Sequence, residues 1–252
     1  MSIDLLNQML MELKTLGCCG VKVSFEDEGA LLNEIVTMRY LTASNGLELA
    51  VKIGGCEAKR DIVDAMNVCT DCIVAPMVES EFALRKFSDS LKQYRFTKKR
   101  GINIETQLSV DNVGEMANGF DSIDFVTFGR SDFACSIGKT RNSVDTDRVF
   151  ESVEKVFMVA RSQNIGCYLG GSISSNTKDF ILRLINKNLL DKFETRYAIY
   201  DVSKIDMEQY DTLIRKAKLF EIEWIRYISN RYAELKDKDA LRINVLFSQM
   251  NN

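Results

Sequence analysis

The chain has no histidine among its 252 residues. This absence excludes Ser–His and Cys–His nucleophile pairs, histidine-ligated metals and a histidine general base. Carboxylates and lysines must therefore carry any acid–base chemistry. Proline is almost as scarce, because Pro76 is the only one and it lies in the apolar run CIVAPM at 72–77. A proline cannot donate to a sheet ladder, so we expect Pro76 at the end of a strand.

Excess charge and long apolar runs are also missing. The net charge of −3 provides no broad attraction to nucleic acid or to an anionic membrane. No run approaches the roughly 18 apolar residues of a spanning helix. The N-terminus lacks the basic and apolar regions of a secretory signal. We expect a cytoplasmic protein without nucleic-acid or membrane partners.

The seven cysteines are scattered and odd in number, which favours reduced thiols. Cys69 and Cys72 form one CxxC, a spacing compatible with zinc or redox chemistry. There is no second CxxC and no histidine to complete a tetrahedral zinc site, so two partly buried small residues are the favoured interpretation.

Apolar periodicity alternates between helical and strand-like segments along the chain, which suits one domain over 1–252. Helices are predicted at 4–16, 30–43, 57–68, 79–93, 110–118, 145–163 and 177–190, each followed by a strand, at 20–25, 47–53, 72–77, 101–106, 123–129, 165–170 and 196–201. Short, nearly continuously apolar strands separated by helices are typical of a buried parallel sheet. A (β/α) TIM-type barrel is favoured, and a doubly wound open sheet is the alternative.

Seven strands are one fewer than such a barrel needs, and the usual first strand is missing. Either the barrel is incomplete, or another segment or another chain fills the gap. A helical region at 203–252 closes the sequence, with a break expected near Lys236. Its apolar residues at helical spacing suit packing on the barrel or on a neighbouring subunit: Ile222, Ile225, Ile228 and Tyr232.

Two strands end on a lone carboxylate, Glu105 in INIET and Asp132 in FGRSD. In a barrel, catalytic groups lie at the carboxyl ends of the strands. Two acids on neighbouring strand ends suit a hard divalent cation, Mg²⁺ or Mn²⁺, which would polarise a carbonyl and stabilise an enolate. Alternatively, Asp132 caps the following helix. The acidic triplet at 26–28 also indicates a nearby cation, because adjacent acids repel each other.

Three blocks of the sequence resemble, in order and spacing, the HpcH/HpaI aldolase and citrate lyase beta-chain family: VAPMVESEFALRKF at 74–87, INIET at 102–106 and DFVTFGRSDFACSIG at 124–138. The similarity extends over roughly residues 20 to 200. It implies a metal-dependent (β/α) barrel that makes or breaks a carbon–carbon bond through an enolate of pyruvate, acetyl-CoA or a relative. It also implies a homo-oligomer that exchanges C-terminal helices.

The resemblance assigns a role to each matching position. Glu105 and Asp132 match the two metal ligands. The loop of Gly129, Arg130 and Ser131 matches the segment that holds the substrate carboxylate, with Arg130 also available to stabilise the oxyanion. Lys52 stands where the family has an arginine that neutralises the enolate oxygen. Asp27 stands at the position of the base, with Glu26 orienting it.

Two departures from the family leave alternatives open. Lysine at 52 loses the planar grip of arginine, and Arg130 replaces a proline. The leading hypothesis is a metal-dependent lyase or aldolase acting on a small 2-oxo acid or acyl thioester. A catalytically inactive relative, acting as a binding or structural subunit, is the second. A phosphoenolpyruvate-using or phosphate-binding barrel, based on Arg196 and on the glycine pairs at 54–55 and 170–171, is the third.

Overall fold

A closed eight-stranded barrel forms the centre of the molecule in a computed structural model that describes residues 2–141 and 143–250. The strands are β1 (Cys18–Ser24), β2 (Glu48–Lys52), β3 (Cys72–Ala75), β4 (Lys99–Ile104), β5 (Phe125–Gly129), β6 (Gly166–Gly170), β7 (Lys192–Glu194) and β8 (Ala198–Asp201). Neighbouring strands from β1 to β7 pair in parallel. The predicted barrel is confirmed, and the open sheet is excluded. Pro76 directly follows β3, as expected.

Ten α-helices cover this barrel within the described residues: α1 (Ile3–Thr15), α2 (Leu32–Asn45), α3 (Lys59–Asn67), α4 (Glu81–Gln93), α5 (Gln107–Asp111), α6 (Val113–Met116), α7 (Arg130–Ser136), α8 (Asp147–Ser162), α9 (Lys178–Asn186) and α10 (Tyr210–Met250). Side-chain caps fix several starts, because Ser80 Oγ accepts from Ala83 N and Thr146 Oγ1 accepts from Val149 N. The single helix predicted at 110–118 is wrong. Two short α-helices, α5 and α6, and a 3-10 helix at Ala117–Ser122 replace it, in a stretch where Gly114 and Gly119 lower helix propensity.

The gap in the barrel is filled by the same chain. β8 runs antiparallel to both of its neighbours, β7 and β1. It follows β7 through a tight turn at 195–197, where Thr195 N donates to Ala198 O at 2.9 Å. The predicted seventh strand at 196–201 therefore combined a turn with the closing strand, and the prediction missed β7. This hairpin also brings Thr195 and Arg196 to the end of the barrel where the parallel strands finish.

Every second residue of each strand faces the barrel interior, since successive side chains of a strand point to opposite faces. Below the middle of the barrel they form an apolar cluster that includes Cys72, Val74 and Phe125, and Phe125 stacks on Tyr168 with ring centroids 4.1 Å apart. Toward the carboxyl ends of the strands the same rows become polar, at Lys52, Asn103 and Thr127. The barrel interior is thus apolar near the amino ends of the parallel strands and polar near their carboxyl ends.

The last helix, α10, has 41 residues, which at 1.5 Å per residue makes it about 60 Å long. Its first half buries Tyr210, Phe220 and Trp224 among other residues. Beyond Trp224 no described residue is buried. The predicted break near Lys236 is wrong, because 210–250 contain no proline or glycine to interrupt the helix.

The cysteines are free thiols, and Cys69 and Cys72 differ in environment. Cys72 is buried in β3, whereas Cys69 is exposed with a φ of 55°. No helix of the described chain combines the length and apolar character needed to cross a membrane.

Candidate metal and substrate site

A polar cavity of about 280 Å³ opens at the carboxyl ends of the strands. Its walls come from the ends of β1, β2, β4, β5, β6 and β7 and from one face of α10. Of the residues predicted to form the site, six line this cavity: Asp27, Lys52, Glu105, Gly129, Ser131 and Asp132. Glu26 and Arg130 do not line it, although Glu26 contacts Lys52.

Glu105 lies at the end of β4 and is only 2% exposed. Its Oε1 accepts a hydrogen bond from Met77 N at 2.9 Å, and its Oε2 accepts one from Asn103 Nδ2 at 3.1 Å. Burial raises the pKa of this carboxyl, while the Met77 amide and the Lys52 ammonium oppose that shift. The negative charge of Asp132, which lines the same cavity, raises the pKa further.

Asp132 lies in the first turn of α7, where the helix dipole favours a negative charge. Gly129, not Asp132, occupies the N-cap position of α7. The Asp132 carboxylate is partly exposed and lies 3.7 Å from Arg141 Nη2. It is therefore accessible from the cavity and only weakly engaged by protein groups.

The donor set of the cavity fits a hard divalent cation. No three Asp, Glu, His or Cys side chains within 2–141 and 143–250 form a metal cluster, so protein carboxylates supply at most part of a coordination shell. Such partial coordination suits Mg²⁺ or Mn²⁺, which retain waters or substrate oxygens. Asn103 Oδ1 adds a further oxygen, because it is buried without a hydrogen-bond partner among the described residues. Zinc is disfavoured, since the described residues that line this cavity include no cysteine and the sequence has no histidine.

Gly129 provides the space for the Glu105 carboxylate. A Cβ at position 129 would lie 2.5 Å from Glu105 Oε2 and 2.8 Å from Glu105 Cβ. We expect Gly129→Ala to displace the carboxylate and weaken Mn²⁺ binding by roughly tenfold or more, measured by titration calorimetry. Gly114→Ala is the matched control, because a Cβ there meets no atom within 4 Å. Equal Mn²⁺ affinity in the two variants would contradict this role of Gly129.

Lys52 ends β2 and is 6% exposed. Its Nζ lies 2.8 Å from a Glu26 carboxylate oxygen and 4.0 Å from Asp27 Oδ2. Desolvation alone would lower the pKa of this ammonium, but Glu26, Glu105 and Asp27 together raise it. Lys52 is thus a buried cation. It lies next to Asp27, the predicted base, and Glu26, which was predicted to orient that base.

Asp27 has a second cationic neighbour, Arg196, on the turn between β7 and β8. Arg196 Nη1 donates to Asp27 Oδ2 at 2.7 Å and to Glu28 Oε1 at 2.9 Å. The acidic triplet is therefore neutralised by Lys52 on one side and Arg196 on the other. Arg196 belongs to the site as a partner of these acids.

The guanidinium of Arg130 is fully buried behind the cavity, at 0% exposure. It forms an ion pair with Asp145 and donates to the carbonyl oxygens of Gly170, at 3.2 Å, and Gly171, at 2.8 Å. Its Cζ atom also lies 4.9 Å from the centre of the Phe180 ring. Through these contacts the side chain holds together the loops after β5 and β6. Each guanidinium nitrogen already has a protein partner, so the predicted role of Arg130 in stabilising a substrate oxyanion is not supported.

Ser131 is the member of the predicted carboxylate loop whose side chain reaches the cavity. Its Oγ lies 2.8 Å from Ser172 Oγ. Gly171 packs against the start of α7, since a Cβ on it would come within 2.5 Å of Ser131 N and 2.6 Å of Arg130 N. Its φ of 81° favours glycine as well.

Several cavity residues were missed by the sequence prediction. Lys22 on β1 forms an ion pair with Glu194 on β7, and Asn103 and Thr127 point inward from β4 and β5. A signal was present, because each polar residue interrupts an apolar strand at an interior-facing position. Others come from loops or from α10, where periodicity gives no such signal: Arg141, Lys218 and Glu221.

The fold and the cavity define a (β/α) barrel protein with an acid-rich site at the carboxyl ends of its strands. The model of the HpcH/HpaI aldolase/citrate lyase family matches residues 32–183, and the chain belongs to this family. The matched segment contains Lys52, Glu105 and Asp132. No curated protein matches the chain.

Solved structures share the fold at low sequence identity. The citrate synthase SbnG is 14% identical with a TM-score of 0.63, over 92% of this chain and 89% of that one. A family protein from Burkholderia cenocepacia J2315 is 12% identical with a TM-score of 0.63, over 89% and 91% of the two chains. The protein CitE from Mycobacterium tuberculosis, in complex with magnesium and acetoacetate, is 13% identical with a TM-score of 0.53, over 78% and 80%.

Proposed function

We propose that this protein is a cytoplasmic, divalent-metal-dependent carbon–carbon lyase or aldolase that acts through an enolate of a small 2-oxo acid or acyl thioester. One observation carries this proposal. The buried carboxylate of Glu105, the accessible carboxylate of Asp132 and the buried ammonium of Lys52 border the same polar cavity. Membership of an aldolase and citrate lyase family supports the same class of reaction.

Glu105 and Asp132 would hold the metal, Mg²⁺ or Mn²⁺. A bound divalent cation supplies Lewis acidity that polarises a carbonyl next to the reacting bond. The family relation supports such a cation, and magnesium occurs with acetoacetate in CitE. Because Glu105 is already fixed by Met77 N and Asn103 Nδ2, its geometry is set before any ligand arrives.

Lys52 would stabilise the negative charge that develops on the substrate oxygen when the carbon–carbon bond breaks. A buried ammonium interacts more strongly with such an oxyanion than a solvated one does. Asp27 would accept the proton of the substrate hydroxyl in cleavage and return it in condensation, while Glu26 holds the Lys52 ammonium in place. Ser131 and the backbone of Gly129 would contact the substrate carboxylate.

Titration calorimetry with Mg²⁺ and Mn²⁺, each with and without pyruvate or oxaloacetate, tests this function. We expect one metal site per chain and a tighter binding of the acid when the metal is present. Barium serves as a control for non-specific binding to the acidic surface, since its larger radius does not suit a compact site. Binding of neither Mg²⁺ nor Mn²⁺ would contradict the proposal and would favour an inactive subunit.

We also propose that the protein is a homo-oligomer, because the outer half of α10 exposes apolar side chains in the single described chain. Residues 232–250 are all exposed, and apolar side chains recur along one helical face: Tyr232, Leu235, Ile243, Leu246 and Met250. A solvated helix about 28 Å long would not normally present such a stripe. A second copy of the same helix is its natural cover.

Ile243→Lys tests this assembly by placing a charge in the middle of the stripe. We expect it to shift the sedimentation coefficient toward that of the monomer. Asn244→Lys adds the same charge to a polar position one residue further along and should leave the oligomer intact. A monomeric wild-type protein at micromolar concentration would refute the proposal.

A further inference from the structure

A second cavity of about 280 Å³ lies beside the catalytic one, between the loop after β1, α2 and α10. Its apolar walls include Ile35, Ile225 and Ile228, and the rings of Tyr197 and Trp224 also line it. None of the residues to which a catalytic role is assigned here lines this cavity. The space is large enough for a ligand with a single aromatic ring.

The two aromatic side chains offer differently oriented surfaces. The ring centroids of Tyr197 and Trp224 are 6.5 Å apart, with an angle of 65° between the planes. Trp224 is held from its other side by Tyr227, which stacks on it with centroids 5.9 Å apart. Aromatic faces in such an arrangement attract cations through the negative potential above the ring.

The charge of this cavity is one-sided. Glu28 and Glu34 line it, and no lysine or arginine among residues 2–141 and 143–250 does. Glu34 makes no ion pair in that part of the chain, since its oxygens accept only from Tyr232 Oη at 2.6 Å and Leu31 N at 3.0 Å. Glu28 is paired with Arg196 through Oε1, but its Oε2 is buried without a hydrogen-bond partner.

We infer that this second cavity binds a small organic ammonium compound with an apolar or aromatic body. The ammonium group would lie between the carboxylates and the aromatic faces, and the hydrocarbon part would contact the isoleucines. Charge complementarity favours this occupant, because a neutral apolar molecule would leave Glu34 without a cation and the second oxygen of Glu28 without a hydrogen-bond donor. The inference is independent of the proposed lyase activity.

Trp224 is the only tryptophan in the chain, so its fluorescence reports on this cavity directly. The experiment titrates the full-length protein with benzylammonium chloride at constant ionic strength and follows Trp224 emission. Benzyl alcohol, which has the same ring without the charge, is the matched control ligand. We expect a saturable change with benzylammonium and about tenfold weaker binding of benzyl alcohol.

Glu28 lines both cavities, whereas Glu34 lines only the second one. Glu34→Gln therefore removes one carboxylate from the second cavity and leaves the lining of the first unchanged. We expect this variant to weaken benzylammonium binding about fivefold and to leave the benzyl alcohol response unchanged. Glu115→Gln, an exposed acid on α6, should match the wild type in both titrations. Far-ultraviolet circular dichroism verifies that Glu34→Gln is folded. Asp27→Asn leaves Glu28 and Glu34 in place and should still bind benzylammonium more tightly than benzyl alcohol.

Three results would overturn the inference. The first is no saturable response of Trp224 to benzylammonium. The second is equal affinity for benzylammonium and benzyl alcohol, which would mark an apolar surface without cation recognition. The third is an emission that depends on protein concentration and not on the amine, which would show that a second copy covers the cavity. Metal binding at Glu105 is measured separately, so its failure and the failure of this inference are distinguishable.

Discussion

Glu105→Gln is expected to abolish divalent-metal binding and with it any metal-dependent carbon–carbon bond cleavage. Glutamine has the same shape but no charge, so the variant loses one of the two carboxylates that border the cavity. Changes in groups that only orient a metal ligand commonly cost 10- to 100-fold in affinity. Loss of the ligand itself should therefore weaken Mn²⁺ binding by more than about 100-fold, measured by titration calorimetry.

The stability of the same variant separates a lost ligand from a lost fold. Burial raises the pKa of Glu105, which means that the charged carboxylate is disfavoured in the folded protein. Glu105→Gln removes this charge, so in metal-free buffer its melting temperature should equal or exceed that of the wild type. Unchanged Mn²⁺ affinity together with a normal melting temperature would refute the assignment of Glu105 as a ligand.

Asp132→Asn removes the second proposed metal ligand and should weaken Mn²⁺ binding to the same extent. Its side chain is partly exposed, and its ion pair with Arg141 is long at 3.7 Å, so the substitution breaks no buried contact. Asp121→Asn is the control, since it removes one exposed negative charge from the turn before β5. Retention of metal binding in Asp132→Asn would leave Glu105 as a single buried acid and would exclude a shared ion.

The positions of Glu105 and Asp132 could be predicted from the sequence because both follow strongly apolar strands. Parallel strands place their carboxyl ends at one edge, so two strand-end acids share that edge without any knowledge of tertiary contacts. The closing hairpin could not be predicted in this way. Lys192–Glu194 is three residues long, and the strand that follows it, β8, runs antiparallel to both of its neighbours in the barrel.

Contacts between distant segments were the least predictable part of the site. Lys22 and Glu194 are 172 residues apart, and their pairing depends on the closure of the barrel. Asn103 had a local signal, since it lies two residues before Glu105 on the same face of β4. The direction of the Arg130 side chain had none, because a strand-end position does not determine whether a long side chain turns into the cavity or behind it.

Arg130→Met is expected to destabilise the protein by about 2–5 kcal/mol, because it removes a fully buried guanidinium and leaves the buried groups that it contacts without a hydrogen-bond donor. Asp145 loses its partner, and the carbonyl oxygens of Gly170 and Gly171 lose their donors. Urea unfolding followed by circular dichroism measures this change. Arg183→Met is the control: Arg183 also forms an ion pair, with Asp147, and lies 3.7 Å from the Phe150 ring centre, but it is half exposed. Its loss should cost at most about 1 kcal/mol.

Arg130→Lys distinguishes a positioning role from a requirement for charge alone. Lysine retains the positive charge, but its single ammonium cannot reach Asp145 and both glycine carbonyls with the fixed fork of a guanidinium. We expect Arg130→Lys to recover part of the stability lost in Arg130→Met. It should still weaken the binding of oxaloacetate, because Gly171, whose carbonyl Arg130 holds, packs against the backbone amides of Arg130 and Ser131 in the proposed substrate loop. A fully stable Arg130→Lys variant that bound oxaloacetate normally would refute the positioning role of the guanidinium.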